Sequence, residues 1–416
     1  MKAGRSICVI SAGHISTCPR MMKAAEAFHE AGYRVRIVCS GFTPWLMDAD
    51  REFFLKHDWQ WEVARFGREA HSLSYYWTGV RYRLARNAVR ATGAGSASLG
   101  LLGAAFTRPF NELVRLATSV PADLYYGGTS GGITVAAEAA RRTGRPYALD
   151  LEDFHSAEQD PSDMAELSHR IIEATESRVL GGAKFVTCGS EAIAAAYAEK
   201  YGVMPTPINN VFPLPAASPD FSAEPGRLRL IWLSQTVGPG RGIEDAIVAL
   251  GIAGLPAELL LRGIPVAGYM DKLEVLARER APNLQLHHAE PDMRRSAVDL
   301  CRDHDVGLAL EQAHVLNRAL CLCNKPFTYM LAGLAVAFTD TPGQRALAGD
   351  LGRGAILFKV GDVDRLASQL KRWAADAGKL ECAKRAAWAA AVRRWHWEHP
   401  EEKGRLLGLV QAVFAA

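Results

Sequence analysis

Across its 416 residues the chain has almost no net charge: 48 Lys and Arg stand against 45 Asp and Glu, a formal +3. That removes a global polyanion signature, so nucleic-acid binding has little support and any basic surface must be local. The eight cysteines are scattered, and no pair has zinc or thioredoxin spacing. Several lie in apolar strand-like runs, where cysteine packs as a small hydrophobe. Cys321-x-Cys323 reads as two buried thiols in a loop, and the whole usage fits a reducing, cytoplasmic setting. The one long uncharged stretch, Ala91 to Thr107, is rich in Ala, Gly and Ser and falls short of a membrane span; it reads as a buried helix or a loop. The opening MKAGRSICVIS enters a strand within a few residues and shows no apolar core of signal-peptide type. A GxGxxG fingerprint is missing after that strand, and no metal-ligand constellation stands out.

What is present is alternation. Apolar runs and helix-period segments succeed one another from the start, the signature of doubly wound α/β sheets. Strands are expected at Ser6 to Ser11, Arg34 to Ser40, Asp123 to Tyr126, Tyr147 to Leu151 and Lys184 to Cys188. Six prolines between Met204 and Arg227 then make a continuing helix implausible and mark a linker. The pattern restarts with strands at Leu228 to Leu233, Glu258 to Arg262, Leu284 to His287, Asp305 to Leu310, Leu334 to Phe338 and Ala355 to Phe358. Helices in this half are expected from Arg241, Tyr269, Met293, Asn324, Gly343 and Asp362. The implied division is a first domain over 1–210, a linker over 211–226, a second domain over 227–390 and a closing helical segment over 391–416. Two such units place the carboxyl ends of their strands where ligands bind, at a central cleft.

Polar residues gather at those strand ends. Ser11-Ala12-Gly13-His14 closes the first strand, where turn amides can cradle a phosphate. Arg20 reads as an anion contact or as a surface cation in the first turn of the next helix. Asp150, Glu152, Asp153 and His155 crowd the end of another strand, a density suited to acid-base work, with capping by Asp153 or Ser156 as the plainer reading of part of it. Gly238-Pro239-Gly240-Arg241-Gly242 opens a helix with a fixed cation beside flexible backbone. Arg262-Gly263 ends the strand after it. From Val306 to Arg345 a buried run ends at Glu311, a polar loop carries Asn317, and Asn324-Lys325 opens a helix with Phe327, Met330 and Leu331 on one side.

This last stretch, with the Gly-Arg loop and the Pro19-Arg20 helix start, resembles the retaining glycosyltransferases of the GT-B fold, family 4-like, group 1. The resemblance extends along nearly the whole chain, strongest over Asp305 to Arg345 and weakest over Phe42 to Pro121. It implies two Rossmann-like domains, with the tail around Trp388, Trp395 and Trp397 kinking at Pro400 and crossing back to the first domain. It implies transfer of a sugar from a UDP- or GDP-sugar to a glycan, a lipid-linked or a small-molecule acceptor, with no cofactor and no metal. Gly13, His14, Arg241 and Lys325 would meet the diphosphate, Gly263 would border the base, and Asn317 or Asn324 would complete the polar frame of the sugar. Glu311 would bond the sugar, and Glu152, Asp153 and His155 would supply the acceptor-side chemistry. Thr328 stands where the family usually has the carboxylate that takes the ribose. A nucleotide-sugar 2-epimerase and a non-catalytic nucleotide-sugar-binding module share the fold and remain open alternatives.

The segment 65–90 interleaves Arg65, Arg68, Arg81, Arg83, Arg86 and Arg90 with Tyr75, Tyr76, Trp77 and Tyr82. It reads as a grip on an anionic acceptor, as a peripheral contact with the inner face of a membrane, or as a solvated helix face.

Overall fold

A computed structural model describes residues 4–69, 72–158, 163–292 and 295–415. Seven parallel strands form one sheet: β1 (Ser6–Ser11), β2 (Arg34–Gly41), β3 (Gln60–Arg65), β4 (Leu124–Gly128), β5 (Tyr147–Leu151), β6 (Val186–Cys188) and β7 (Thr206–Pro207). Their order is β3-β2-β1-β4-β5-β6-β7. Six more form a second parallel sheet: β8 (Leu228–Val237), β9 (Ala257–Pro265), β10 (Leu284–Ala289), β11 (Val306–Ala309), β12 (Ala335–Thr339) and β13 (Ala355–Phe358), in the order β10-β9-β8-β11-β12-β13. The chain divides into Met1–Asn209 with Lys403–Ala416, and Asn210–Glu402, called here unit 1 and unit 2.

The sequence explains why these segments become inner strands. Ile7 to Ile10 and the whole of β12, AVAFT, are buried, because helices cover both faces of a parallel sheet. Register follows: Ile7 pairs with Val35 on one side and with Leu124 on the other. Helix ends obey local chemistry, with Pro19, Pro44 and Pro342 in first turns and the Ser190 hydroxyl accepting from Ile193 N–H.

In both sheets the order reverses beside the first strand, between β1 and β4 in unit 1 and between β8 and β11 in unit 2. Helices leaving such a pair go to opposite faces, which opens a crevice at the strand ends.

Several expectations change. β3 was not foreseen, because QWEVAR is half exposed and lacks an apolar run. The helix after the Gly-Arg loop starts at Ile243 rather than Arg241. The helix expected from Met293 begins outside the described residues, and the segment 297–303 forms turns instead. The proline-rich stretch is no free connector: Gly226 N–H donates to Ala374 O, Lys384 Nζ donates to Ser222 O, and Pro219 lies against Gly333. The tail is helical over Ala377–Arg393 and Arg405–Ala415, with a non-α turn at Pro400–Gly404. The uncharged stretch contains the helix Leu99–Phe106, capped by Ser98, with Leu102 and Ala105 buried. No helix among the described residues is long and apolar enough to cross a membrane.

Candidate functional site

In unit 2 the polar residues converge at the reversal point. β8 leads into the Gly238–Gly242 loop, and β11 leads into Glu311. Gly240 and Gly242 hold φ near +71° and +72°, and a Cβ on Gly242 would lie 2.8 Å from the Leu310 carbonyl oxygen. Only glycine allows that approach of the two loops. The loop presents Arg241, half-buried and without a hydrogen bond or ion pair among the described residues. Burial and the Arg318 charge both lower its hold on its proton.

Glu311 is the carboxylate of this crevice. Its side chain is 2% exposed and takes Lys325 Nζ on Oε1 and Arg318 Nη1 on Oε2 at 3.3 Å. Cys323 Sγ also points to Oε1, at 3.4 Å. Burial pushes the carboxyl up, but Lys325 and then Arg318 outweigh it and hold Glu311 at about 2. Lys325 is raised against burial by Cys323 and Glu311, and its ammonium lies 5.4 Å from the Trp232 ring centroid. Lys325 and Arg318 therefore share one carboxylate while Arg241 stands near with none, leaving net positive charge suited to an anion. Both Glu311 oxygens are engaged by these cations, so the expected bond to a sugar would be made from within this network.

The other expected residues of unit 2 fall as follows. Gly263 holds φ +150°, and a Cβ there would meet the Ser234 carbonyl oxygen at 2.5 Å, so β8 and β9 touch through backbone. Asn317 is buried in the short helix Leu316–Leu320, and Asn324 opens the helix Asn324–Leu331. Thr328 turns inward. It is 0% exposed and its hydroxyl donates to Asn324 O at 3.1 Å, within its own helix.

Unit 1 corrects two more expectations. His14 is buried at 1% exposure; Nδ1 faces Asp50 Oδ2 at 2.7 Å, and Nε2 accepts from Phe42 N–H at 3.2 Å and Thr43 N–H at 3.1 Å. Both ring nitrogens are spent on tying β1 to the segment after β2, so the imidazole is not a ligand contact. Arg20 is neither an anion contact nor a surface cation: Nε donates to Asp150 Oδ2 at 2.9 Å and Nη1 to Ile208 O. Against burial, that guanidinium holds Asp150 below the ordinary carboxylate range. Asp150 thereby leaves the expected catalytic cluster.

What remains after β5 is Glu152, Asp153 and His155. Burial and the neighbouring Asp153 push Glu152 up to about 7. His155 Nδ1 pairs with Glu158; burial opposes the charge, but Glu158 prevails and raises His155 to about 9. Its Nε2 is buried with no hydrogen-bond partner, and so are Ser11 Oγ and Ser40 Oγ at the ends of β1 and β2. Gly13 has open space where a side chain would sit. No three His, Cys, Asp or Glu among the described residues come together as a metal site.

Two further features of these sites lie outside the sequence expectations. Arg318 carried no signal, since a lone arginine in a polar loop looks like surface. Gly127-Gly128-Thr129-Ser130-Gly131-Gly132 did carry one, a glycine-rich strand-to-helix turn. Thr129 adopts φ +65°, its hydroxyl accepts from Gly132 N–H at 3.4 Å, and Gly131 packs against Ala12 across the reversal point of unit 1.

Two parallel Rossmann-like sheets with strand-end loops of this kind are the GT-B fold of glycosyltransferase structures. Residues 19–213 match the family model described as a glycosyl transferase 4-like domain. No curated protein matches the sequence. Among solved structures, HepE of Anabaena in complex with UDP-glucose is similar over 99% of this chain and 100% of its own, with 16% identity and a TM-score of 0.66. Sucrose-phosphate synthase of Thermosynechococcus elongatus matches over 99% and 100%, at 13% identity and 0.63. A point mutant of S. aureus TarM, in complex with fondaparinux, alpha-GlcNAc-glycerol and UDP, matches over 100% of both chains at 10% identity and 0.66.

Proposed function

We propose that the protein is a retaining glycosyltransferase using a UDP- or GDP-sugar, a hexosyl donor by the same reading. The observation that carries it is the unit 2 cation cluster, with the unpartnered Arg241 beside Lys325 and Arg318 at a strand-order reversal. When the bond from the anomeric carbon to the diphosphate breaks, the electron pair goes to the leaving phosphate oxygen. Arg241 meets that growing charge directly, while Glu311 holds Lys325 and Arg318 in place for the same task. Donors fixed in advance stabilise such charge without reorganising, which is where most of the rate comes from. Glu152 is the candidate to take the acceptor's proton, because a group near 7 both accepts and releases protons at neutral pH. The acceptor oxygen then bonds to the anomeric carbon on the face the diphosphate left. The glycosyl transferase 4-like match and the UDP and UDP-glucose complexes of the similar structures support this reading.

The test is a panel of UDP- and GDP-sugars with and without acceptor mixtures, products followed by NMR. Transfer, or slow donor hydrolysis with release of nucleoside diphosphate, is expected. Isomerised nucleotide sugar as the product would replace the reading with the epimerase, and no turnover of any donor would leave a binding module.

A further inference from the structure

Helix Ser72–Thr92 is covered on one side only. Thr78, Ala85, Arg86 and Val89 are buried, and Ala85 and Val89 join a cluster with Leu102, Ala105, Leu167 and Ile171. The opposite face carries Leu73, Tyr76, Trp77, Val80 and Leu84, exposed at 86%, 60%, 61%, 44% and 63%. Their steps of three and four residues are the helical period, so they form one stripe along the helix. Scattered apolar side chains on a surface are ordinary, but a continuous row of this size marks a contact.

The charge beside the stripe is mostly positive, with Arg81 paired to Glu112. The helix contains four arginines and no Asp or Glu. A groove of about 930 Å³ alongside it is lined by Arg68, Arg83, Arg86, Arg90 and Arg108, with no carboxylate in its wall among the described residues. Arg108 is fixed by Tyr75, its Cζ 4.0 Å from the ring centroid, and Arg86 by the Tyr82 hydroxyl at 3.1 Å. Arg68 and Arg83 make no hydrogen bond or ion pair among the described residues and are exposed.

We propose that this face of unit 1 docks on a bilayer containing anionic phospholipids. The Leu73–Leu84 stripe lies in the interfacial layer, and the arginines engage lipid phosphates. Each half of the observation excludes another occupant. A second copy across a two-fold axis would bring Arg68 and Arg83, which have no ion-pair partner among the described residues, face to face with themselves. A soluble polyanion would satisfy the arginines and leave Trp77 and Leu84 in water. Only an anionic surface with an apolar layer behind it answers both, and since no helix among the described residues is long and apolar enough to span, this one would lie flat. The inference does not depend on the proposed transfer reaction.

Flotation of the whole protein with vesicles tests it, using phosphatidylcholine alone and phosphatidylcholine mixed with phosphatidylglycerol. Wild type should float with the mixed vesicles, not with the neutral ones, and release as salt rises. Arg83→Gln with Arg90→Gln should weaken binding roughly fivefold for each charge removed. Trp77→Ser with Leu84→Ser should weaken it about tenfold or more at low salt. All four side chains are exposed, so thermal melts should match wild type. The proposal is overturned if wild type ignores mixed vesicles, if the Trp77/Leu84 variant floats equally well, or if that variant instead dissociates a dimer seen by sedimentation equilibrium.

Discussion

Arg241→Ala should separate function from stability. The guanidinium is half-buried, has no carboxylate partner among the described residues, and is disfavoured by burial and by Arg318. Removing it strands no buried charge and deletes a repulsion, so folding stability should hold or rise. The loop keeps its path through Gly240 and Gly242, whose left-handed backbone does not depend on the arginine. Turnover is another matter. A fixed cation aimed at a developing oxyanion is worth about 3 kcal/mol, which at about 1.4 kcal/mol per decade is a loss of roughly 150-fold in kcat. Steady-state turnover of the best donor and a thermal melt, measured on the same preparation, give both numbers. A variant that keeps near-normal turnover, or one that melts several degrees lower, would refute the reasoning.

Lys325→Met should behave oppositely, costing about 3 to 5 kcal/mol of stability because Glu311 is then a buried carboxylate with Arg318 as its one cation and the Cys323 thiol as a weak donor. Glu311 sits below its ordinary value, so its favourable contribution is full above pH 4.5 and fades as pH falls toward 2; denaturant melts should therefore show the Lys325→Met deficit shrinking in acid, and Glu311→Gln added to it should restore stability. A deficit independent of pH would mean the lysine acts by packing. His155→Gln should lose up to about 3 kcal/mol below pH 6.5, with the deficit vanishing as pH rises through about 9, because His155 is held above its ordinary value by Glu158. Parallel stability curves for the two proteins would remove Glu158 as the cause.

The alternation of apolar runs located most strands because inner parallel strands are buried on both faces and leave continuous hydrophobic stretches, as β1 and β12 do. β3 escaped because an edge strand needs only one covered face. Within the candidate site, residue type and position at strand ends single out Arg241, Lys325 and the Glu152 cluster as candidates. Which polar groups are consumed internally was not legible. His14 and Arg20 look like ligand contacts until Asp50 and Asp150, far away in sequence, claim them. Thr328 likewise looks like a substitution at a contact until its burial shows it serving its own helix. Such pairings depend on tertiary geometry, which a local pattern of residue types does not encode.

The most direct measurement is calorimetric titration of UDP, GDP and their parent nucleosides into wild type and Arg241→Ala. If the crevice between β8 and β11 holds a diphosphate, at least one diphosphate should bind wild type far more tightly than its nucleoside, and Arg241→Ala should narrow that gap by about a hundredfold while leaving nucleoside affinity unchanged. Equal affinity of wild type for nucleoside and diphosphate, or a gap that survives the loss of Arg241, would contradict the account.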